Sequence, residues 1–140
     1  MKPFHASIFL ALMLLFVKTT HAAQIQLSGS DPNLVAVEFS GEIKPADFDA
    51  LRRLIEPRLS TNNSFRWFLL NSNGGDVATA MKIGRYIRML DFDTSVASNA
   101  HCLSSCVFIF AAGNNRSTSK NNLGIHRPFR TSVGSVSRED

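Results

Sequence analysis

Basic residues nowhere cluster beyond the pair Arg52-Arg53, and no apolar run approaches the roughly 20 residues a membrane-spanning helix needs. Cysteine is confined to Cys102 and Cys106, too few for a zinc sphere or a disulfide-rich scaffold. The GxxxxGK[ST] phosphate loop is absent. These absences argue against nucleic-acid binding, structural metal and nucleotide-driven chemistry, and the sequence implies no cofactor. What is there is 44% apolar content in 140 residues, enough for one core.

The longest apolar stretch, Ala6–Val17, follows Lys2 and precedes Thr20-His21-Ala22, which places small residues three before and one before a cut after Ala22. Residues 1–22 are therefore expected to be a secretory signal peptide; the alternative is an uncleaved membrane anchor. Removing them leaves 13 basic and 11 acidic residues, so the formal charge falls from +4 to +2. Export, most simply to the periplasm, places Cys102 and Cys106 in an oxidising compartment, where two thiols more often form a disulfide than a metal site. After cleavage no lasting membrane insertion is expected.

The remainder alternates strands and helices. Val35, Val37 and Phe39 alternate as in a strand within Asn33–Ile43; Pro45 then suits the first turn of a helix carrying Phe48, Leu51, Leu54, Ile55 and Leu59, disturbed at Pro57. Phe65–Leu70 reads as a buried strand, stopped by Asn71-Ser72-Asn73-Gly74-Gly75, and Asp76–Leu90 as an amphipathic helix with Gly84 on its apolar face for close packing. A short strand over Asp93–Ala97 leads to an approach loop, a buried helix over Cys106–Ala112, a polar loop over 114–122 and a strand Leu123–His126 before Pro128. Residues 131–140 read as a polar tail, leaving an α/β domain over 23–130. Parallel strands joined by crossover helices gather ligand sites at the strands' C-terminal ends.

Three features fall at those ends. Gly74-Gly75 can bring backbone N–H groups close to an anion, or can simply make a tight turn. Ser104 opens the 106–112 helix, where it is either an exposed nucleophile or an N-cap. His126 closes the last strand as a general base for Ser104 or as a satisfied histidine. His101 falls in the approach loop. Cys106, inside an apolar helix, is a poor alternative nucleophile.

Taken in order, Val37–Ile43, Leu70–Gly75, Ser104 ahead of Ala111-Ala112-Gly113, and Ile125-His126-Arg127-Pro128 resemble the Clp protease proteolytic subunit and, within the crotonase superfamily, the uncharacterised periplasmic Clp-like proteins that carry Cys-x-Ser-x-Cys behind a signal. The resemblance covers about Leu34–Pro128 and implies a Clp/crotonase-like fold of repeated strand-strand-helix units with mainly parallel strands. It implies Ser104 as nucleophile, His126 as base, the Gly75 and Ser105 amides as oxyanion hole, a peptide or protein substrate and a homo-oligomer. The family's acid lies well beyond its histidine, whereas here only Glu139 and Asp140 follow His126; the domain is accordingly expected to be partial. Asp76 is better explained as a helix-start acid, and Lys120 is poorly placed for a Ser–Lys dyad. The competing expectations are an inactive peptide-binding protein and a crotonase-type thioester enzyme.

Overall fold

Val35, Val37 and Phe39 are buried along one face of a strand whose pleat alternates their side chains with Ala36 and Glu38. That strand is the second in a computed structural model that describes residues 23–31, 33–59 and 65–126. The elements run β1 (Gln24–Ser28), β2 (Leu34–Ser40), α1 (Asp47–Ile55), a 3-10 turn (Glu56–Arg58), β3 (Phe65–Asn71), α2 (Val77–Met89), β4 (Asp93–Val96), β5 (Cys102–Leu103), α3 (Cys106–Ala112), β6 (Arg116–Thr118) and β7 (Leu123–Gly124). The expected signal and the polar tail lie outside the described residues.

One sheet has the order β1-β2-β3-β4-β6, antiparallel only at β1–β2; a second, smaller sheet pairs β5 with β7 in parallel. Two isolated parallel bridges, Ile43 with Gly75 and Ser72 with Cys102, show how the layers are built. Three main-sheet strands are each followed by a short segment in a second layer and then a helix: β2, Ile43 and α1; β3, Ser72 and α2; β4, β5 and α3. β6 and β7 add one strand to each layer. This is an α/β, mainly parallel arrangement of repeated strand-strand-helix units, as the sequence implied.

The core lies between the main sheet and the helices. Phe39, Phe68 and Phe92 sit with successive ring centroids 6.2 Å apart, against Leu51, Ile55, Ile83, Ile87 and Ile109, all fully buried. Each such side chain contributes roughly 1.5–3 kcal/mol of burial. Gly84 allows α2 and α3 to approach: a Cβ there would stand 3.1 Å from the Phe108 carbonyl oxygen and 3.3 Å from the Ala112 Cβ.

Several boundaries differ from the sequence reading. Pro45 precedes α1 instead of opening it, because the Asp47 carboxylate accepts the Lys44 N–H at 2.7 Å and starts the helix at Asp47. Burial raises the Asp47 pKa, opposed by that hydrogen bond and by the Lys44 charge. β3 is not buried throughout: Phe68 and Leu70 face the core, while Phe65 and Trp67 point to the other face and are exposed. The stretch expected as a loop over 114–122 contains β6, held by pairing with β4 and by nothing apolar of its own. β5 likewise arises where an approach loop was expected.

Candidate active site

β5 is short, yet it is held from both sides. The Leu103 N–H donates to the Ser72 carbonyl at 2.9 Å, the Cys102 N–H to Asn122 at 2.8 Å and the Ser104 N–H to Gly124 at 2.7 Å. The chain must then leave the strand and enter α3 within two residues. It does so at Ser104, whose φ of 54° is a left-handed conformation that costs a non-glycine residue about 1–3 kcal/mol. The Cys102–Cys106 disulfide closes this turn with its Cα atoms 5.3 Å apart, both cysteines fully buried. The N-cap position belongs to Ser105, so Ser104 does not open the helix as the sequence suggested. Nor does Ser105 cap with its side chain; its hydroxyl donates to the Gly75 carbonyl at 3.0 Å.

Gly74 and Gly75 face this turn with φ of 96° and 144°. A Cβ on Gly74 would stand 2.8 Å from both the Leu103 carbonyl oxygen and the Ser104 Cβ, and 3.0 Å from the Ser105 nitrogen. A Cβ on Gly75 would collide with the Ile43 carbonyl on the other side. The glycines therefore do more than turn the chain: only their backbones fit between two neighbouring backbones. Buried Ser72 anchors them, its hydroxyl donating to the Gly41 carbonyl at 2.5 Å and accepting the Gly74 N–H at 3.0 Å. No feature of the sequence had singled out Ser72.

Two amides are aimed by these bonds. The Gly74 carbonyl accepts the Ile43 N–H at 2.9 Å, and in a trans peptide this turns the Gly75 N–H away from Ile43. The Ser104 carbonyl accepts the Val107 N–H at 3.1 Å, which turns the Ser105 N–H back out of the helix start. Among the described residues, neither amide donates to an acceptor in the chain.

Both residues line a cavity of about 450 Å³ together with Ser104 and His126; Asn73 adds a polar wall and Val77, Phe108 and Ile125 an apolar one. His126 reaches it because the Ser104–Gly124 hydrogen bond fixes β7 beside the Ser104 turn, two residues before the imidazole. His101 stays outside, its carbonyl taken by the Ser72 N–H at 2.8 Å. Lys120 is exposed in a loop. Asp76 caps α2, accepting the Thr79 N–H at 2.7 Å, and hydrogen bonding from Thr79 holds its pKa below the ordinary value. Among the described residues, no acid lines the cavity and no three His, Cys, Asp or Glu side chains cluster as metal ligands. Glu139 and Asp140 lie outside the described residues.

No family model matches the sequence, and no curated relative does. A solved structure described as a "putative enoyl-CoA hydratase" from Streptomyces coelicolor A3(2) is similar at a TM-score of 0.42 and 16% identity, over 84% of this chain and 50% of that one. The chain thus spans half that protein's length. Identity this low carries neither residues nor activity across.

What the arrangement offers chemically stands on its own atoms. A hydroxyl on a strained turn, an imidazole and two residues with uncommitted amides line one cavity.

Proposed function

We propose that this cavity is the active site of an exported serine hydrolase of the peptidase type. The observation that carries the reading is that Ser104 and His126 share one cavity with the two uncommitted amides of Gly75 and Ser105. Any of these residues alone has an ordinary structural role; their convergence does not.

In the proposed reaction, the Ser104 Oγ attacks the carbonyl carbon of a peptide bond while His126 takes its proton. The carbonyl oxygen becomes an oxyanion held by the Gly75 and Ser105 amides, where one such donor is worth about 2.7–4 kcal/mol. As the C–N bond breaks, His126 passes the proton to the leaving amine. Water, deprotonated by His126, then releases the acyl group and restores Ser104. The disulfide supports an oxidising compartment, in keeping with the signal-like N-terminus.

Labelling by a fluorophosphonate probe tests this directly. The wild-type chain should be labelled, Ser104→Ala should not, and His126→Ala should be labelled far more slowly. An unlabelled wild type that also leaves peptide and ester substrates intact would sink the proposal.

One observation favours a second reading. Among the described residues no acid lines the cavity, and loss of the acid from a comparable serine triad costs about 10⁴-fold in rate. A protein that binds peptides without turnover is the alternative, marked by equal peptide affinity of wild type and Ser104→Ala with no hydrolysis by either.

A further inference from the structure

Beyond the catalytic cavity, α2 and α3 leave a second groove of about 250 Å³, lined by Met81, Gly84, Arg85, Arg88, Phe108 and Ala112. Its apolar walls are open to solvent: Met81 is 39% and Phe108 51% exposed. Phe108 lines both the groove and the catalytic cavity, so the two are neighbours. Along α2, Val77 lies in the cavity, with Met81 and Arg85 one and two turns further on. The floor is low there because Gly84 has no side chain to fill the α2–α3 crossing.

The groove also has a sign. α2 carries Lys82, Arg85 and Arg88 and no acidic residue after its cap Asp76. Among the described residues, none of these three cations enters a salt bridge. Arg88 gives one N–H to the Gly113 carbonyl at 3.3 Å, and among the described residues Arg85 has no hydrogen-bond partner. An apolar trough with unpaired positive charge beside it fits an extended, apolar chain bearing a carboxylate, and disfavours a basic one.

We propose that the α2–α3 groove is the docking path for one flank of an acidic peptide, with an apolar residue against Met81 and Phe108 and a carboxylate at Arg85. The proposal builds on the reading of the adjoining cavity as a peptide site. The eight residue steps of helix from Val77 to Arg85 span about 12 Å, and an extended chain rises about 3.3 Å per residue. The carboxylate is therefore about four positions from the residue seated in the cavity.

The test uses the full chain with Ser104→Ala, so that binding is read without turnover. Two fluorescein-labelled peptides of about eight residues are compared, each with leucine at the position for the cavity and either glutamate or lysine four positions along. An exposed ion pair is worth up to about fivefold in affinity, and exchanging attraction for repulsion should separate the peptides by about tenfold at low salt. High salt should erase the difference. Arg85→Glu should invert the preference, and Arg85→Gln should abolish it if the larger change unfolds the chain. Met81→Asp should weaken the glutamate peptide without touching fluorophosphonate labelling of the chain that retains Ser104. Equal affinity for the two peptides, binding of neither, or a preference that survives Arg85→Gln would overturn the proposal. So would a stable dimer dissociated by Met81→Asp, since the groove would then belong to a second copy. An unlabelled wild type that still prefers the glutamate peptide would remove the hydrolase reading and leave the groove standing.

Discussion

The Ser105 hydroxyl donates to the Gly75 carbonyl at 3.0 Å, which ties the turn carrying Ser104 to the glycine turn opposite it. The two residues whose amides face the cavity are thus linked to each other by a side chain that is itself buried. Removing the hydroxyl would leave both amides in the chain but free their spacing.

Ser105→Ala is therefore expected to lower kcat by about tenfold, the scale of one hydrogen bond, with KM little changed. Ser105→Thr should restore much of the loss. Steady-state hydrolysis of an activated ester, alongside a thermal melt, separates this from general destabilisation, which would lower the melting point of the alanine variant and its active fraction together.

At Gly74 the backbone conformation and the lack of space act in the same direction. Gly74→Ala must hold a φ of 96° and place a Cβ 2.8 Å from the Ser104 Cβ. We expect a destabilisation of about 1–3 kcal/mol by chemical denaturation, and loss of fluorophosphonate labelling at temperatures where circular dichroism still shows the fold.

The Cys102–Cys106 disulfide closes a short loop around Ser104. Chain entropy alone gives such a loop about 2 kcal/mol. Reduction should lower the unfolding free energy, read by urea denaturation, by that amount and slow labelling of Ser104, because the left-handed turn then depends on hydrogen bonds alone. Labelling that is unchanged after complete reduction, verified by thiol titration, would show that the turn holds without the disulfide.

Asp76 supplies a pH-dependent prediction. Its carboxylate accepts the Thr79 N–H, and its pKa in the fold is depressed below the ordinary 3.8. A depressed acid contributes stability that is present above 3.8 and lost as pH falls through the folded value. Asp76→Ala should cost about 1 kcal/mol at pH 7, as the loss of an N-cap does. The gap between variant and wild type, followed by urea denaturation, should narrow as the pH drops below 3.8.

Much of this was legible in the chain. The alternation of Val35, Val37 and Phe39, the helical spacing of Ala80, Ile83 and Ile87, and the double glycine after a strand each report on neighbours close in sequence. The segments that escaped reading are those whose reasons lie elsewhere. β5 and β7 are two residues each and exist through pairing with one another and with Ser72; β6 is polar and entirely exposed, and β4 alone makes it a strand. Ser72 looked like one more polar residue in a turn, because neither Gly41 nor His101, which it bonds, is near it in sequence.

By itself the sequence determined the α/β class, the single core and the small set of groups able to do chemistry, since hydrophobic period and residue type are local properties. The tertiary structure alone decided that Ser104 adopts a left-handed turn in place of a helix cap. It alone brought Ser104, His126 and the Gly75 and Ser105 amides to one cavity, and left Asp76 to its helix. Those outcomes depend on hydrogen bonds between segments some thirty residues apart, such as Ser105 to Gly75 and Ser72 to Gly41, and no local pattern encodes a partner at that distance.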